Sequence, residues 1–355
     1  MAQTILVTGG AGFIGSSLAL NLKSRTPDDR VIALDNLKRR GAELALGRLR
    51  KGGVEFRHGD VRQPDDLDFG VRPDVIIECS AEPSVHAGRD GHVRYVLDSN
   101  LTGCINCLEL ARRSDAALVF LSTSRVYPTA QLAALRLQVR GSRFHLLDEQ
   151  AVPGASVRGI AEEFPLDGAR TLYGATKLAA ELLIAEYVDM FGLRAVINRC
   201  GVVSGAWQMG HAEQGVFAHW AMAHVFRRPL TYIGYGGCGH QVRDVLHVAD
   251  LEELVAAQLA QCDRLRGEVF NAGGGIDGST SLAEFTDLCG RLTGVTVPIE
   301  GHAATRPGDV PVYISDNSRV TARFRWVPRR TVEDVAVDLV RWIRAHSDEL
   351  TGIFG

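Results

Sequence analysis

No apolar run in this chain reaches the length of a membrane span, about 20 residues. The 355-residue sequence also shows no internal repeat and no low-complexity segment. An excess of charge of one sign is missing too. The 39 basic and 42 acidic side chains leave a net charge of −3, which excludes a strong pull toward nucleic acid or an anionic membrane. The seven cysteines, Cys79, Cys104, Cys107, Cys200, Cys238, Cys262 and Cys289, lack a ligand pattern. Cys104 and Cys107 form a C-x-x-C, but no second pair completes a zinc site. They lie in the helical-looking stretch Gly103-Cys104-Ile105-Asn106-Cys107-Leu108-Glu109-Leu110. The expectation there is buried reduced thiols behaving as small hydrophobes. The 11 histidines show no ligand spacing, and no metal is expected. The chain enters a strand almost at once, leaving no room for a signal peptide, so a cytoplasmic enzyme is expected.

What is present begins with glycine. Gly9-Gly10-Ala11-Gly12-Phe13-Ile14-Gly15 follows the apolar strand Thr4-Ile5-Leu6-Val7 and precedes the helical pattern Ser16–Leu22. Strand, tight turn and helix N-terminus are the setting for a bound dinucleotide. Gly9 allows the turn, Gly12 lets the backbone approach a pyrophosphate, and Gly15 lets helix and strand pack closely. The helix dipole and its unpaired N–H groups then face the phosphates. The spacing is Gly-x-x-Gly-x-x-Gly, and a glycine run alone could be a tight turn. Support comes from Val31-Ile32-Ala33-Leu34, a second buried strand ending at Asp35, about 20 residues past Gly15, where an acid binds the adenosine ribose hydroxyls. Asp35 would repel a 2′-phosphate and so favours NAD over NADP. Lys38, Arg39 and Arg40 are either a phosphate-binding cluster or a solvated loop.

Short apolar strands alternate with helical stretches through the first 120 residues or so. Ile5–Thr8, Val31–Leu34, Val54–His58, Val75–Glu78 and Ala117–Ser122 are the candidates. The alternation predicts an α/β fold, a doubly wound parallel sheet with helices on both faces. Asp60 and Val61 follow the third strand, where they could contact adenine. Ser80-Ala81-Glu82-Pro83-Ser84 follows the fourth and opens a loop beside the cofactor. All lie at strand C-termini, where such sheets bind ligands. Residues 128–170 break the rhythm with Pro128, Gly141, Pro153, Gly154, Gly159, Pro165 and Gly168. A connection this long is functional, disordered or a helical insertion. A helix is expected from about Thr171 to Phe191. Beyond Arg199 the chain is richer in glycine and aromatics, which suits a smaller lobe closing over a substrate.

Tyr173-Gly174-Ala175-Thr176-Lys177 carries the chemistry. Residues four apart share one helix face. A tyrosine is a poor base, with a reference pKa of about 10, and a nearby ammonium favours its phenolate. Lys177 could also hold the nicotinamide ribose. Thr123, after the fifth strand, could hydrogen-bond the substrate oxygen that gains or loses the proton. One base, one cation and one orienting hydroxyl meet the need of acid–base catalysis.

These pieces resemble the extended short-chain dehydrogenases/reductases of the nucleotide-sugar epimerase and dehydratase type. The resemblance runs over essentially the whole chain, through Val7–Gly15, Asp35-Asn36-Leu37, His58-Gly59-Asp60-Val61, Asn100-Leu101-Thr102-Gly103, Ser122–Tyr127, Tyr173–Lys177, Gln241–Val248 and Asn271-Ala272-Gly273-Gly274. It implies a Rossmann domain over 1–199, with parts of 240–275 returning to it, and a smaller substrate-binding lobe over 200–239 and 276–355. It implies NAD held also by Phe13, Ile14, Asn36, Ser80, Ala81, Asn100, Ser122 and Cys200. A nucleotide-diphosphate sugar would meet Arg243 and Arg306, whose rigid forks suit diphosphate; a surface ion pair with Asp244 or Asp309 is the plainer reading. Glu82, Ser124 and Arg125 are further substrate contacts. Trp207, Gln208, Glu213 and Gln214 line the sugar pocket or form a plain surface loop.

The family's dehydratases carry Asp-Glu directly after the catalytic threonine; Ser124-Arg125 stands here, which disfavours 4,6-dehydration. Many members have an aromatic residue, an asparagine and a tyrosine where Gly201, Val202 and Ser204 stand. The implied reaction is epimerisation through a keto-sugar oxidised at C2 or C4. The alternatives are decarboxylation or ketoreduction, or a non-catalytic NAD sensor. A homodimer is implied by analogy with relatives that pair through the helix bearing the tyrosine.

Overall fold

The computed structural model describes residues 2–68, 70–88, 91–210 and 215–354. In chain order the elements begin with β1 (Thr4–Thr8), α1 (Phe13–Arg25), β2 (Arg30–Asp35), α2 (Ala45–Lys51), β3 (Glu55–His58) and β4 (Val75–Glu78). Next come α3 (Val93–Leu97), α4 (Gly103–Ser114), β5 (Ala117–Thr123), α5 (Thr129–Ala133), β6 (Leu137–Arg140), β7 (Arg143–Leu146), β8 (Ala155–Ser156) and β9 (Gly159–Ile160). The long helix α6 (Leu172–Phe191) leads to β10 (Ala195–Cys200), β11 (Val202–Ser204), α7 (Val216–Val225), β12 (Leu230–Ile233), β13 (Val242–His247) and α8 (Val248–Leu259). The chain ends through β14 (Glu268–Ala272), β15 (Ser279–Ser281), α9 (Leu282–Thr293), β16 (Ile299–His302), β17 (Val312–Tyr313), α10 (Ser318–Phe324), α11 (Val332–Ala345) and α12 (Ser347–Phe354).

The chain forms two compact units. The first comprises Met1–Val126, Leu172–Arg199 and Glu252–Phe270; the second comprises Tyr127–Thr171, Cys200–Leu251 and Asn271–Gly355. The first is organised on a seven-stranded sheet in the order β14-β10-β5-β4-β1-β2-β3. Strands β3, β2, β1, β4 and β5 pair in parallel, and the expected doubly wound sheet is therefore present. Strands β1, β2, β4 and β5 are rich in Val, Ile, Leu and Ala because helices cover both faces, whereas the edge strand β3 (Glu55-Phe56-Arg57-His58) is partly exposed. On one face Leu6, Ile32, Ile76, Leu118 and Phe120 pack with Cys104, Cys107 and Leu108 of α4 and Ala180 and Ile184 of α6. On the other, α1 is tied to α8 through Asn21–Glu252 and Arg25–Glu253.

The second unit holds a four-stranded sheet in which β13 pairs β11 and β17 in parallel and β15 antiparallel. β12 pairs with β16. The segment before α6 contains α5 and two hairpins, β6–β7 and β8–β9. It is pinned within its unit: Ile160 bridges to Ser315, and Tyr127 Oη donates to Asn271 at 2.7 Å. Helices α9 and α11 each begin with a capping box, Ser281 with Glu284 and Thr331 with Asp334, which satisfies their first amides.

Candidate active site

The glycine turn fits a dinucleotide on steric grounds. Gly9 has φ +62, and a Cβ there would sit 2.9 Å from the Cys79 carbonyl carbon. A Cβ on Gly15 would come 2.2 Å from the Gly9 oxygen, so only glycine lets α1 start this close to the turn. A Cβ on Gly12 would meet the Gly9 oxygen at 3.1 Å and nothing else within 4 Å, leaving its outer side open for a phosphate. Gly12 caps α1 without a side-chain hydrogen bond, and the first turn, with Phe13, Ile14 and Gly15, carries no acid. The amides and the dipole are thus left for an anion. Ser80, beside the Gly9 turn, has a buried hydroxyl with no partner among the described residues, as a site awaiting a polar ligand should.

The far edge of this cradle is built from acids. Asp35 ends β2, and its carboxylate accepts from the amides of Ala11 at 3.1 Å and Leu37 at 2.8 Å. Burial raises its pKa, opposed by these amides. Asn36 donates to Asp60 at 2.9 Å, and Arg62 holds the same carboxylate at 2.5 Å. Chiefly through Arg62, the Asp60 pKa falls to about 2. Val61 is buried next to it, and its carbonyl accepts from Asn106. Lys38 lies over the Tyr95 ring at 4.1 Å, and Arg62 over the same ring at 5.1 Å. Burial lowers the Arg39 pKa, and the Glu82 charge opposes it. Lys38 and Arg39 are therefore engaged by the protein's own groups.

The loop after β4 is held by Asn100. Its Oδ1 accepts from the Glu82 amide at 2.7 Å, and its Nδ2 donates to the Glu82 carbonyl and to Thr176 Oγ1, each at 3.1 Å. Asn100 lies in a wide π turn, Asp98–Thr102, of the kind that often marks functional positions. One side chain thus ties the Ser80-Ala81-Glu82 loop to the helix that carries Tyr173.

Thr123 ends β5, 7 % exposed, and its hydroxyl accepts from the Arg125 amide at 3.2 Å; Ser124 and Arg125 form the turn that follows. Tyr173 and Lys177 both lie on α6. Lys177 is 2 % exposed, with Nζ 3.4 Å from Glu78 Oε2 and 3.8 Å from the Phe120 ring centre. Burial alone would lower its pKa, but the Glu78 carboxylate, with Tyr173 and Cys104, more than offsets this and raises it. Burial raises Glu78, and Lys177 opposes that. One turn further, Glu181 binds Arg199 Nη2 at 2.7 Å and accepts from Ser122; Ser122 is thus turned into the protein. Glu78, Glu181 and Arg199 were not singled out from sequence. Their signal is a charged residue inside an otherwise apolar strand or helix face.

In the second unit Arg243 is 12 % exposed, and its Nη2 donates to Asp309 Oδ1 and the Val310 carbonyl, each at 2.7 Å. The Arg306–Asp309 turn places both residues together, with the Asp309 amide on the Arg306 carbonyl at 3.1 Å. Arg306, with Thr231, Ile233, His302 and Thr305, lines a cavity of about 410 Å³. Gln208 is engaged in its own loop, accepting from Ser204 at 2.6 Å and donating to the Val203 carbonyl at 3.0 Å. Trp207 packs on Trp342 and His346. Glu213 and Gln214 lie outside the described residues. Cys200 is buried at the end of β10. A Cβ on Gly201 would come 2.7 Å from the buried Asp244 carboxylate, which explains why no aromatic side chain stands there. Cys104 and Cys107 are fully buried, and burial raises both pKa values.

A parallel doubly wound sheet, a glycine cradle at α1 and a Tyr–Lys pair on α6 define an NAD-binding short-chain dehydrogenase/reductase fold. Residues 5–273 match the model of the NAD dependent epimerase/dehydratase family, and the chain belongs to that family; its cofactor is NAD. It is 29% identical over 349 residues to the CDP-paratose 2-epimerase of Salmonella typhi, covering 95% of this chain and 98% of that protein. It is 27% identical over 343 residues to a dTDP-glucose 4,6-dehydratase of Mycobacterium tuberculosis, covering 96% and 93% of the two chains. Among solved structures it resembles the UDP-glucose 4-epimerase of Thermus thermophilus in complex with NAD, with TM-score 0.76, 27% identity and coverage of 96% and 99%. Among the described residues no helix is long and apolar enough to cross a membrane.

Proposed function

We propose that the protein epimerises a nucleotide-diphosphate sugar, oxidising C2 or C4 to a ketone and returning hydrogen to the opposite face. The observation that carries this is the buried Lys177 ammonium one helical turn from Tyr173, on a helix tied by Asn100 to the cofactor loop. Bound NAD supplies the acceptor and the source of that hydrogen. Tyr173 takes the hydroxyl proton as the ketone forms and gives it back on reduction. Lys177 lowers the cost of the phenolate, and Thr123 orients the reacting oxygen. Arg243, set by Asp309, and Arg306 hold the nucleotide diphosphate.

Ser124-Arg125 supplies no acid pair for dehydration, and the retention of Thr123, Tyr173 and Lys177 favours an enzyme over a sensor. The seven cysteines, none in a disulfide among the described residues, suit a reducing, cytoplasmic setting. The test is incubation with CDP-, UDP-, GDP- and dTDP-hexoses without added NAD, read by proton NMR. A new epimer is expected, and stoichiometric dependence on NADH would point to a reductase instead.

Two further expectations follow from this reading. Asp35→Asn removes the charge that repels a 2′-phosphate, so the ratio of NADP to NAD affinity should rise about tenfold, the effect of one partly screened charge. Titration calorimetry measures it, and an unchanged ratio would remove Asp35 from the selectivity. The chain is also proposed to act as a homodimer through α6, where Leu182, Met190 and Phe191 are 64%, 66% and 51% exposed. Light scattering should give twice the chain mass, falling to one chain for Leu182→Glu/Met190→Glu. A monomeric parent protein at working concentration would refute it.

A further inference from the structure

The chain has only four lysines, Lys23, Lys38, Lys51 and Lys177, and Lys177 is the buried one. Its ammonium sits in a pocket that is otherwise poor in charge. Phe120 of β5 covers it. Cys104 and Cys107 of α4 face it as thiols, kept protonated by burial. Tyr173 interacts with it from the same helix. The one carboxylate in this cluster, among the described residues, is Glu78 at the C-terminal end of β4, itself 1 % exposed. An ammonium buried without a counter-charge gives up its proton readily.

We infer that Glu78 is a positioning residue for the reaction: it keeps Lys177 charged and anchors its ammonium one helical turn from Tyr173. This rests on the proton-transfer role proposed for Tyr173. The lysine thereby faces two acids, the Glu78 carboxyl group 3.4 Å away and the phenol of Tyr173 one helical turn along α6. Its cation is constant across the working pH range, because Glu78 outweighs the burial that would lower the lysine pKa. The sign follows directly. With Glu78 present, Lys177 loses its proton only above the ordinary lysine range. With the carboxylate removed, burial acts alone, and the proton is lost at lower pH.

The four lysines make the test direct. In protein labelled with 13C-lysine, the Cε shift of Lys177, identified by its absence from Lys177→Met, is followed against pH. In the parent protein Lys177 should not titrate below about 10.4, the ordinary value. In Glu78→Gln its midpoint should fall by about one to three units, and the alkaline limb of kcat should move down with it while KM stays within about twofold. Glu78→Asp keeps the charge but draws it back by one methylene group, so the midpoint should stay near that of the parent while kcat drops. Three results would overturn the inference: an unchanged midpoint in Glu78→Gln, equal losses of kcat in both variants without a change in pH profile, or a parent Lys177 that titrates below the ordinary value. The last is decisive even if Glu78→Gln does not fold. Absence of turnover on the whole sugar panel would instead count against the epimerase reading and leave the titration result standing.

Discussion

Tyr173→Phe is expected to lower kcat by about 10²–10⁴-fold, the usual contribution of a positioned acid–base group. The substitution keeps the ring and removes only the hydroxyl proposed to move the proton. Tyr173 is half-buried on α6, so stability should change by less than about 1 kcal/mol. Lys177 and its partner Glu78 stay in place, since their contact does not pass through the phenol. The measurement pairs initial rates by NMR with the urea midpoint. A large loss of rate with an unmoved midpoint isolates the proton-transfer step. A variant that retained full activity would remove Tyr173 from the mechanism.

Glu181→Leu should be the most damaging change to stability. Glu181 and Arg199 are 4% and 5% exposed in their side chains. Arg199 Nε reaches both carboxylate oxygens, at 3.2 and 3.1 Å, and Nη2 reaches one at 2.7 Å. Ser122 donates to the same carboxylate. The pair joins β5, α6 and β10 just below the residues proposed for catalysis. Losing the carboxylate would remove the three hydrogen bonds it accepts from a buried guanidinium, at a cost of about 3–5 kcal/mol. The double variant Glu181→Leu/Arg199→Met removes both charges and should recover most of that loss. Denaturant titration reads both. A loss below about 1 kcal/mol in the single variant would contradict the buried pairing.

Much of the first unit is legible in the sequence because its strands are buried on both faces. Val75–Glu78 is found as expected, and Ala117–Ser122 extends by one residue to Thr123. The helix expected over 171–191 is found at Leu172–Phe191. Residues 128–170 were not legible. Their strands are two to four residues long, too short to show a period of two, and their glycines mark turns such as Gly141 and Gly154 with positive φ. The shared helix of Tyr173 and Lys177 was readable as a local i, i+4 pattern. Glu78 was not, because it meets Lys177 from 99 residues away and reads locally as the end of an apolar strand. Gly201 carries a similar lesson: its small size answers Asp244, which is distant in sequence.

Turnover in D2O tests the central claim most directly. If the carbon is oxidised and the same hydrogen returns to its other face, the inverted carbon of the product carries protium, although the proton on Tyr173 exchanges with solvent. Mass spectrometry and proton NMR of the epimer should therefore show no deuterium on that carbon. Deuterium there would mean that the carbon exchanged its hydrogen with water, as in enolisation or elimination, and would contradict transient oxidation at this site.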